Sequence, residues 1–318
     1  MNRPKFFAKK SVAVTNSGDL IFKNLTRFFA ALILLLVLLM AFEMIRSSKL
    51  TWDKFGPEFL IRSVWDPVQE EYGALPFIYG TLVSSFLAIL IAVPLSLGIA
   101  VFLTEVAPRW MVQPLSFFVE LLAGIPSIVY GLWGFFVMVP WLRNTVEPFF
   151  QDYGSAIPLF RGAPYGVGML AAGIILAIMI LPIISSISRD VLKAVPRSQY
   201  EAALALGSTR WQATWIALGY SRSGIIGATI LGLGRAIGET MAVTMVIGNR
   251  PEISASLFDP SYTMASVLAN EFSEATSDMY ISALIEVALV LFVITLIVNS
   301  FARLLVWSVT RNARLSRT

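Results

Sequence analysis

The sequence contains no cysteine and no histidine. Disulfides, thiol chemistry, Cys/His metal sites and histidine acid–base catalysis are therefore excluded. Charge is scarce as well: Asp, Glu, Lys and Arg make up 14% of the 318 residues, against roughly 25% in soluble domains. There is no G-x-x-x-x-G-K-[ST] loop, so this chain cannot bind and hydrolyse ATP in the P-loop manner by itself. No low-complexity segment and no repeat stands out. What is abundant is apolar: 57% of residues are hydrophobic and the mean hydropathy is +0.74. Runs long enough to cross the ~30 Å hydrocarbon core of a bilayer recur along the chain.

These runs predict an all-α, polytopic membrane protein with six spans, near residues 28–45, 77–103, 115–140, 166–187, 224–248 and 281–307. The chain then divides into a cytoplasmic segment 1–27, a first span with its external loop (28–76), and a core of five spans (77–307). The core contains a cytoplasmic loop at 188–223, and a cytoplasmic tail follows at 308–318. Connections 46–76, 141–165 and 249–280 hold 7 Lys/Arg and 12 Asp/Glu, whereas the N-terminal segment, the other two connections and the C-terminal tail hold 15 basic residues. The positive-inside rule puts the second set in the cytoplasm, with both termini, and six spans require that parity. The net charge of +4 does not point to nucleic acid, because the basic residues are scattered through short loops and form no stripe. The first run follows Lys23 and Arg27 and lacks a small-x-small cleavage site, so it reads as a retained helix rather than a signal peptide. Pro94, Pro126 and Pro182 fall inside spans two, three and four. Kinked helices are expected there, either as packing geometry or as the lining of a cavity.

The fifth run, "GIIGATILGLGRAIGETMAVTMVIG", carries two charges, Arg235 and Glu239. Arg235 lies eleven residues from Gly224, roughly 16 Å along a helix axis at ~1.5 Å per residue. An ionised group at that depth costs roughly 2.5–3.5 kcal/mol. The i, i+4 spacing predicts that both share one helix face as an ion pair. Gly224, Ala228, Gly232 and Ala236 form one row of small residues, and Gly234, Gly238 and Ala242 a second; such rows let helices approach closely. Either the pair fixes helix register, or it marks a path for a polar or anionic solute. Arg presents a planar fork suited to an oxyanion, Glu239 could hold that fork, and Thr240 adds a hydroxyl. Glu43, Glu120 and Glu286 lie nearer span ends and read as structural.

The loop 188–223 contains "RSQYEAALALGSTRWQATWIALGYSRSG". It predicts a short helix over Ser198–Leu206, a bend at Gly207 and a second helix with Trp211 and Trp215 at i, i+4. Small residues Ala202 and Ala203 would let this knob enter a partner's groove; an amphipathic segment on the membrane surface is the other reading. Here the sequence resembles a known family. "EAALALG" resembles the E-A-A-x3-G loop of ABC importer permeases, matched by Glu201, Ala202, Ala203 and Gly207. The family's following I-x-L-P is replaced by Ala217, Leu218, Gly219 and Tyr220. "YGTLVSSFLAILIAVPLSLGIAVFLTE" (79–105) is similar to the opening core helices of that superfamily. "GIPSIVYGLWGFF", "GLGRAIGETMAVTMVIGN" and "SVLANEFSEA" resemble, in order, the phosphate-specific permeases of the PstC type.

The resemblance implies a type I ABC importer permease fold in a bacterial inner membrane, forming half of a phosphate path without cofactor or metal. It implies a second permease of the PstA type, two ATPase subunits of the PstB type docking on Glu201–Gly207, and an external phosphate-binding protein of the PstS type. Arg235 and Glu239 match positions associated with phosphate passage. The residues alone leave open a permease for sulfate or molybdate, a self-contained anion channel or secondary transporter, and a membrane scaffold. A negative cell interior opposes anion entry by about 2.3 kcal/mol per charge per 100 mV, so import needs an energy source that this chain lacks. A scaffold would leave the mid-span charges without a purpose.

Overall fold

The computed structural model describes residues 17–154 and 157–315. The expected cytoplasmic ends at 1–16 and 316–318 lie outside the described residues. The chain separates into a first unit ending at Arg46 and a second beginning at Ser47. The first is dominated by one 31-residue helix, α1 (Ser17–Ser47), with Asp19 in its first turn and Arg46 in its last, each favourably placed against the helix dipole.

The second unit is helical throughout its larger elements. A short helix α2 (Lys49–Phe55) and a 3-10 turn lead to α3 (Leu75–Val101), which continues as a π turn over Phe102–Val106. Helix α4 (Arg109–Ala123) is followed by α5 (Ser127–Gly154), set at 93° to it and interrupted by π turns at Gly134–Met138 and Leu142–Val146. Then come α6 (Met169–Lys193), α7 (Arg197–Ala205), α8 (Arg210–Ile237), α9 (Met241–Val246), α10 (Met264–Glu271) and α11 (Asp278–Leu315). Among the described residues only two isolated β-bridges occur. Five helices, α1, α3, α6, α8 and α11, are long and apolar enough to cross a membrane, and the bent pair α4–α5 makes the sixth. The protein is thus a multi-pass, all-α membrane protein.

The third span, expected over 115–140 with a kink at Pro126, is broken there into two helices bent by 93°. Pro126 offers no N–H and disfavours helix at Ile125, and the chain turns between Gly124 and Pro126. Tyr130 spans the elbow, its hydroxyl donating to the Leu122 carbonyl (2.7 Å), which also accepts from the Ile125 N–H (3.4 Å). Arg189, one turn from the end of α6, donates to Glu120 in the last turn of α4 (2.9 Å).

The core is built on small side chains. Leu87 of α3 packs so closely on Gly173 of α6 that a Cβ there would lie 2.8 Å from its Cβ, and Ser96 donates to the Leu181 carbonyl (3.1 Å). Along α8, the row Gly224, Ala228, Gly232 and Ala236 behaves as expected. Gly224 abuts Val191 and Gly232 abuts Ile184, while Ala228 and Ala236 are buried. Close backbone approach of this kind is the main attraction between helices where lipid removes the hydrophobic drive.

Candidate functional site

Helix α8 starts with a complete capping box. The Thr209 hydroxyl accepts from the Gln212 N–H while the Gln212 side chain accepts from the Thr209 N–H, which satisfies two otherwise unpaired donors. It then runs 28 residues without interruption and stops at Ile237, two residues after Arg235. This overturns the expected ion pair. Gly238 ends the helix, so Glu239 is not on the same face as Arg235, and neither residue forms a salt bridge among the described residues. Glu239 turns inward and is 9% exposed, its carboxylate accepting from the Ala242 N–H (3.4 Å) in the first turn of α9. A carboxylate there offsets the positive end of the helix. Thr240, half-buried, donates to the Gly238 carbonyl (3.3 Å). Arg235 is exposed and within electrostatic range of Tyr130.

The break lies against the elbow. A Cβ on Gly131 of α5 would meet Met245 Sδ at 2.6 Å and Ala242 Cα at 3.1 Å, so α5 and α9 cross almost backbone to backbone. Arg235, Glu239, Thr240 and Tyr130 therefore gather where two spans are both interrupted. Nothing in the sequence marked Tyr130 except its place in "GIPSIVYG". The second small row is divided by the break: Gly234 faces Asn299 of α11, and Ala242 belongs to α9.

The loop before α8 carries the other predicted residues. Helix α7 covers Arg197–Ala205 and Gly207 follows with φ +85°, the left-handed bend that favours glycine. Glu201, Ala202 and Gly207 are exposed. Ala203 is 5% exposed, packed into its own chain, so only Ala202 of that pair can meet a partner directly. Leu206 stands out at 88% exposed and was not singled out from the sequence. Trp211 and Trp215 meet edge to face at 6.0 Å, on the first turns of α8 itself rather than on a separate helix. Gly219 and Tyr220 continue α8 where the family has Leu-Pro. A cavity of about 360 Å³ between α7 and the ends of α3 and α6 is lined by Glu105, Lys193, Arg197, Tyr200 and Glu201 among others.

Residues 92–311 match the model of the "Binding-protein-dependent transport system inner membrane component" family. The chain is 47% identical over 298 residues to the "Phosphate transport system permease protein PstC" of Pasteurella multocida, covering 92% of this chain and 93% of that one. The chain belongs to the PstC branch of the binding-protein-dependent permeases. The PstC protein of Mesorhizobium japonicum is 49% identical over 290 residues, with 90% and 89% covered. The probable PstC protein of the archaeon Methanocaldococcus jannaschii is 40% identical over 253 residues, with 78% and 80% covered. A solved chain of the inward-facing MetNI methionine ABC transporter shares the fold. Its TM-score is 0.51 at 18% identity, over 79% of this chain and 96% of that one.

Two further acids of the permease behave differently from each other. Glu120 is the Arg189 partner described above. Glu286 does not snorkel: it lies eight residues into α11 and is 3% exposed, and its Oε2 has no hydrogen-bond partner. No group of three acidic side chains that could hold a metal ion occurs among the described residues.

Proposed function

We propose that this permease forms half of the translocation path of an ATP-driven inorganic phosphate importer in a bacterial inner membrane, hydrolysing no ATP itself. The observation that carries this reading is Arg235, a permanent cation exposed in the last turn of a membrane helix, where the span breaks. A face bearing it costs a few kcal/mol against lipid and is tolerated where a second permease closes a polar path over it. The curated relatives named as phosphate transport permeases supply the substrate. The assembly then contains a PstA-type permease, two PstB-type ATPases and an external PstS-type binding protein. Within it Arg235, with Thr240 beside it, receives the anion, and Glu239 holds the break open by fixing α9.

The coupling role of Glu201, Ala202, Ala203 and Gly207 fits the continuity of α8. Arg235 is 25 residues along one unbroken helix from Arg210, ~38 Å at 1.5 Å per residue. Movement of the ATPases against α7 reaches the α8 start through Gly207 and is delivered by a rigid rod to Arg235. The test is uptake of labelled phosphate by vesicles holding the full complex with ATP on the ATPase side, comparing Arg235→Gln with wild type at equal assembly. Loss of uptake with retained ATPase subunits is the expected result. Unchanged uptake removes Arg235 from the path, and equal transport of labelled sulfate moves the substrate class.

A further inference from the structure

The external connection between the first two spans contains a small, rigid hairpin that the transport path does not use. Asp66 and Glu71 exchange backbone hydrogen bonds (2.8 and 3.1 Å), and the Asp66 carboxylate accepts from the Val68 and Gln69 N–H groups (2.9 and 3.2 Å). Glu70 adopts φ +53°, uncommon for a residue with a side chain, and Lys54 donates to its carbonyl (2.7 Å). Behind the hairpin stands an aromatic cluster. Trp65 packs edge-on against Tyr72 and Phe77 (4.9 and 4.8 Å), and Tyr72 stacks on Tyr280. Glu271, within the "SVLANEFSEA" motif, accepts from both Trp65 Nε1 (2.8 Å) and the Tyr280 hydroxyl (2.7 Å). All this bracing presents one apolar tip: Val68 is 92% exposed, next to exposed Pro67.

Val68 buries nothing in its own chain, so the bracing does not serve to pack it. A tip held in one conformation loses little entropy when it is covered, the condition for tight docking by a small contact. We infer that the Asp66–Glu71 hairpin is a docking knob for a soluble external protein that offers an apolar pocket for Pro67–Val68 with a rim of Lys or Arg. The flanking Asp66 and Glu70 set that rim by charge complementarity, while the Glu71 carboxylate is held by Arg62 (2.6 Å). They also disfavour insertion into a membrane surface, where basic flanks are the rule. The family is named for its dependence on a binding protein, and the knob lies on the side from which one would approach. The inference rests on the importer reading above and gives that partner a contact on this chain.

The full complex in proteoliposomes is titrated with its phosphate-loaded binding protein, and ATP hydrolysis is followed. For Val68→Asp, the half-saturating concentration rises about tenfold, as for loss of a central apolar contact, while the rate at saturation changes less than twofold. Because the chain has no cysteine, Val68→Cys creates its one thiol; a benzophenone placed there cross-links to the binding protein. A Val68→Asp titration that superimposes on wild type overturns the knob, as do cross-links confined to lipid or to the second permease. If wild-type hydrolysis ignores the binding protein altogether, the importer reading falls and takes the knob with it.

Discussion

Gly207 allows the coupling loop to be separated into a backbone requirement and a surface requirement. Its φ is +85° and a Cβ built there meets nothing within 4 Å. Any L residue pays about 1–2 kcal/mol for that conformation, whatever its size, because the space around it is open. Gly207→Ala and Gly207→Leu therefore destabilise the isolated permease to the same extent, within a few tenths of a kcal/mol. They diverge only if another protein covers the bend. A leucine forced into an interface packed at protein density costs a further ~1–3 kcal/mol, which weakens association about 5- to 150-fold. The two variants are compared in denaturant unfolding of the permease, in ATPase retention on purification, and in phosphate taken up per ATP hydrolysed. Gly207→Ala keeps most coupled uptake, and Gly207→Leu loses both the ATPase and uptake. Equal retention and equal uptake in the two variants would refute the placement of the docking surface at this bend.

Two other outcomes follow from the geometry. Since Glu239 caps α9 instead of pairing with Arg235, a thermodynamic cycle on the stability of Arg235→Gln, Glu239→Gln and the double variant gives a coupling below about 0.5 kcal/mol; a coupling well above ~1 kcal/mol would mean that the two charges do meet. Tyr72, outside the membrane, has its hydroxyl pushed up to about 12, first by burial and then by the Glu70 charge. A phenol held protonated in the fold stabilises it fully below the ordinary value near 10, and that contribution, about 2–3 kcal/mol, is lost as pH rises from there toward 12. Unfolding of the external cluster followed by tyrosinate absorbance shows this loss, and Tyr72→Phe flattens it; an identical alkaline profile in Tyr72→Phe would assign the titration elsewhere.

Much of the architecture could be read from the sequence because lipid imposes it. Apolar length marked the spans and the Gly224–Ala236 row marked the α8–α6 contact, both of them local properties. The left-handed bend at Gly207 was legible for the same reason. What escaped was set by other parts of the chain. Arg235 and Glu239 have the spacing of a helical pair, and periodicity alone cannot see that α5 approaches at Gly131 and turns the chain inward after Ile237. The cue was present in Gly238 followed by Thr240, a helix stop and a helix start side by side, just as Gly124 and Pro126 announced the elbow. The aromatic cluster behind Val68 gave no cue, since Trp65 and Glu271 are 206 positions apart.

Both interruptions fall at the same place, and this bears on how such a site is made. A continuous helix satisfies its own backbone and offers a solute only side chains. Two broken spans packed against each other free carbonyls and N–H groups inside the membrane, and the chain must then answer for them. Tyr130 and the Ile125 N–H answer for the Leu122 carbonyl, and Glu239 for the Ala242 N–H. With those groups satisfied from within, Arg235 is left exposed, a charge held ready on a scaffold that does not need it. A structural arginine would be buried and paired, as Arg189 is with Glu120 only a few turns away. The contrast between these two arginines, one enclosed by carboxylates and one without a salt bridge, is the strongest internal reason to assign transport to Arg235 and fold maintenance to Arg189.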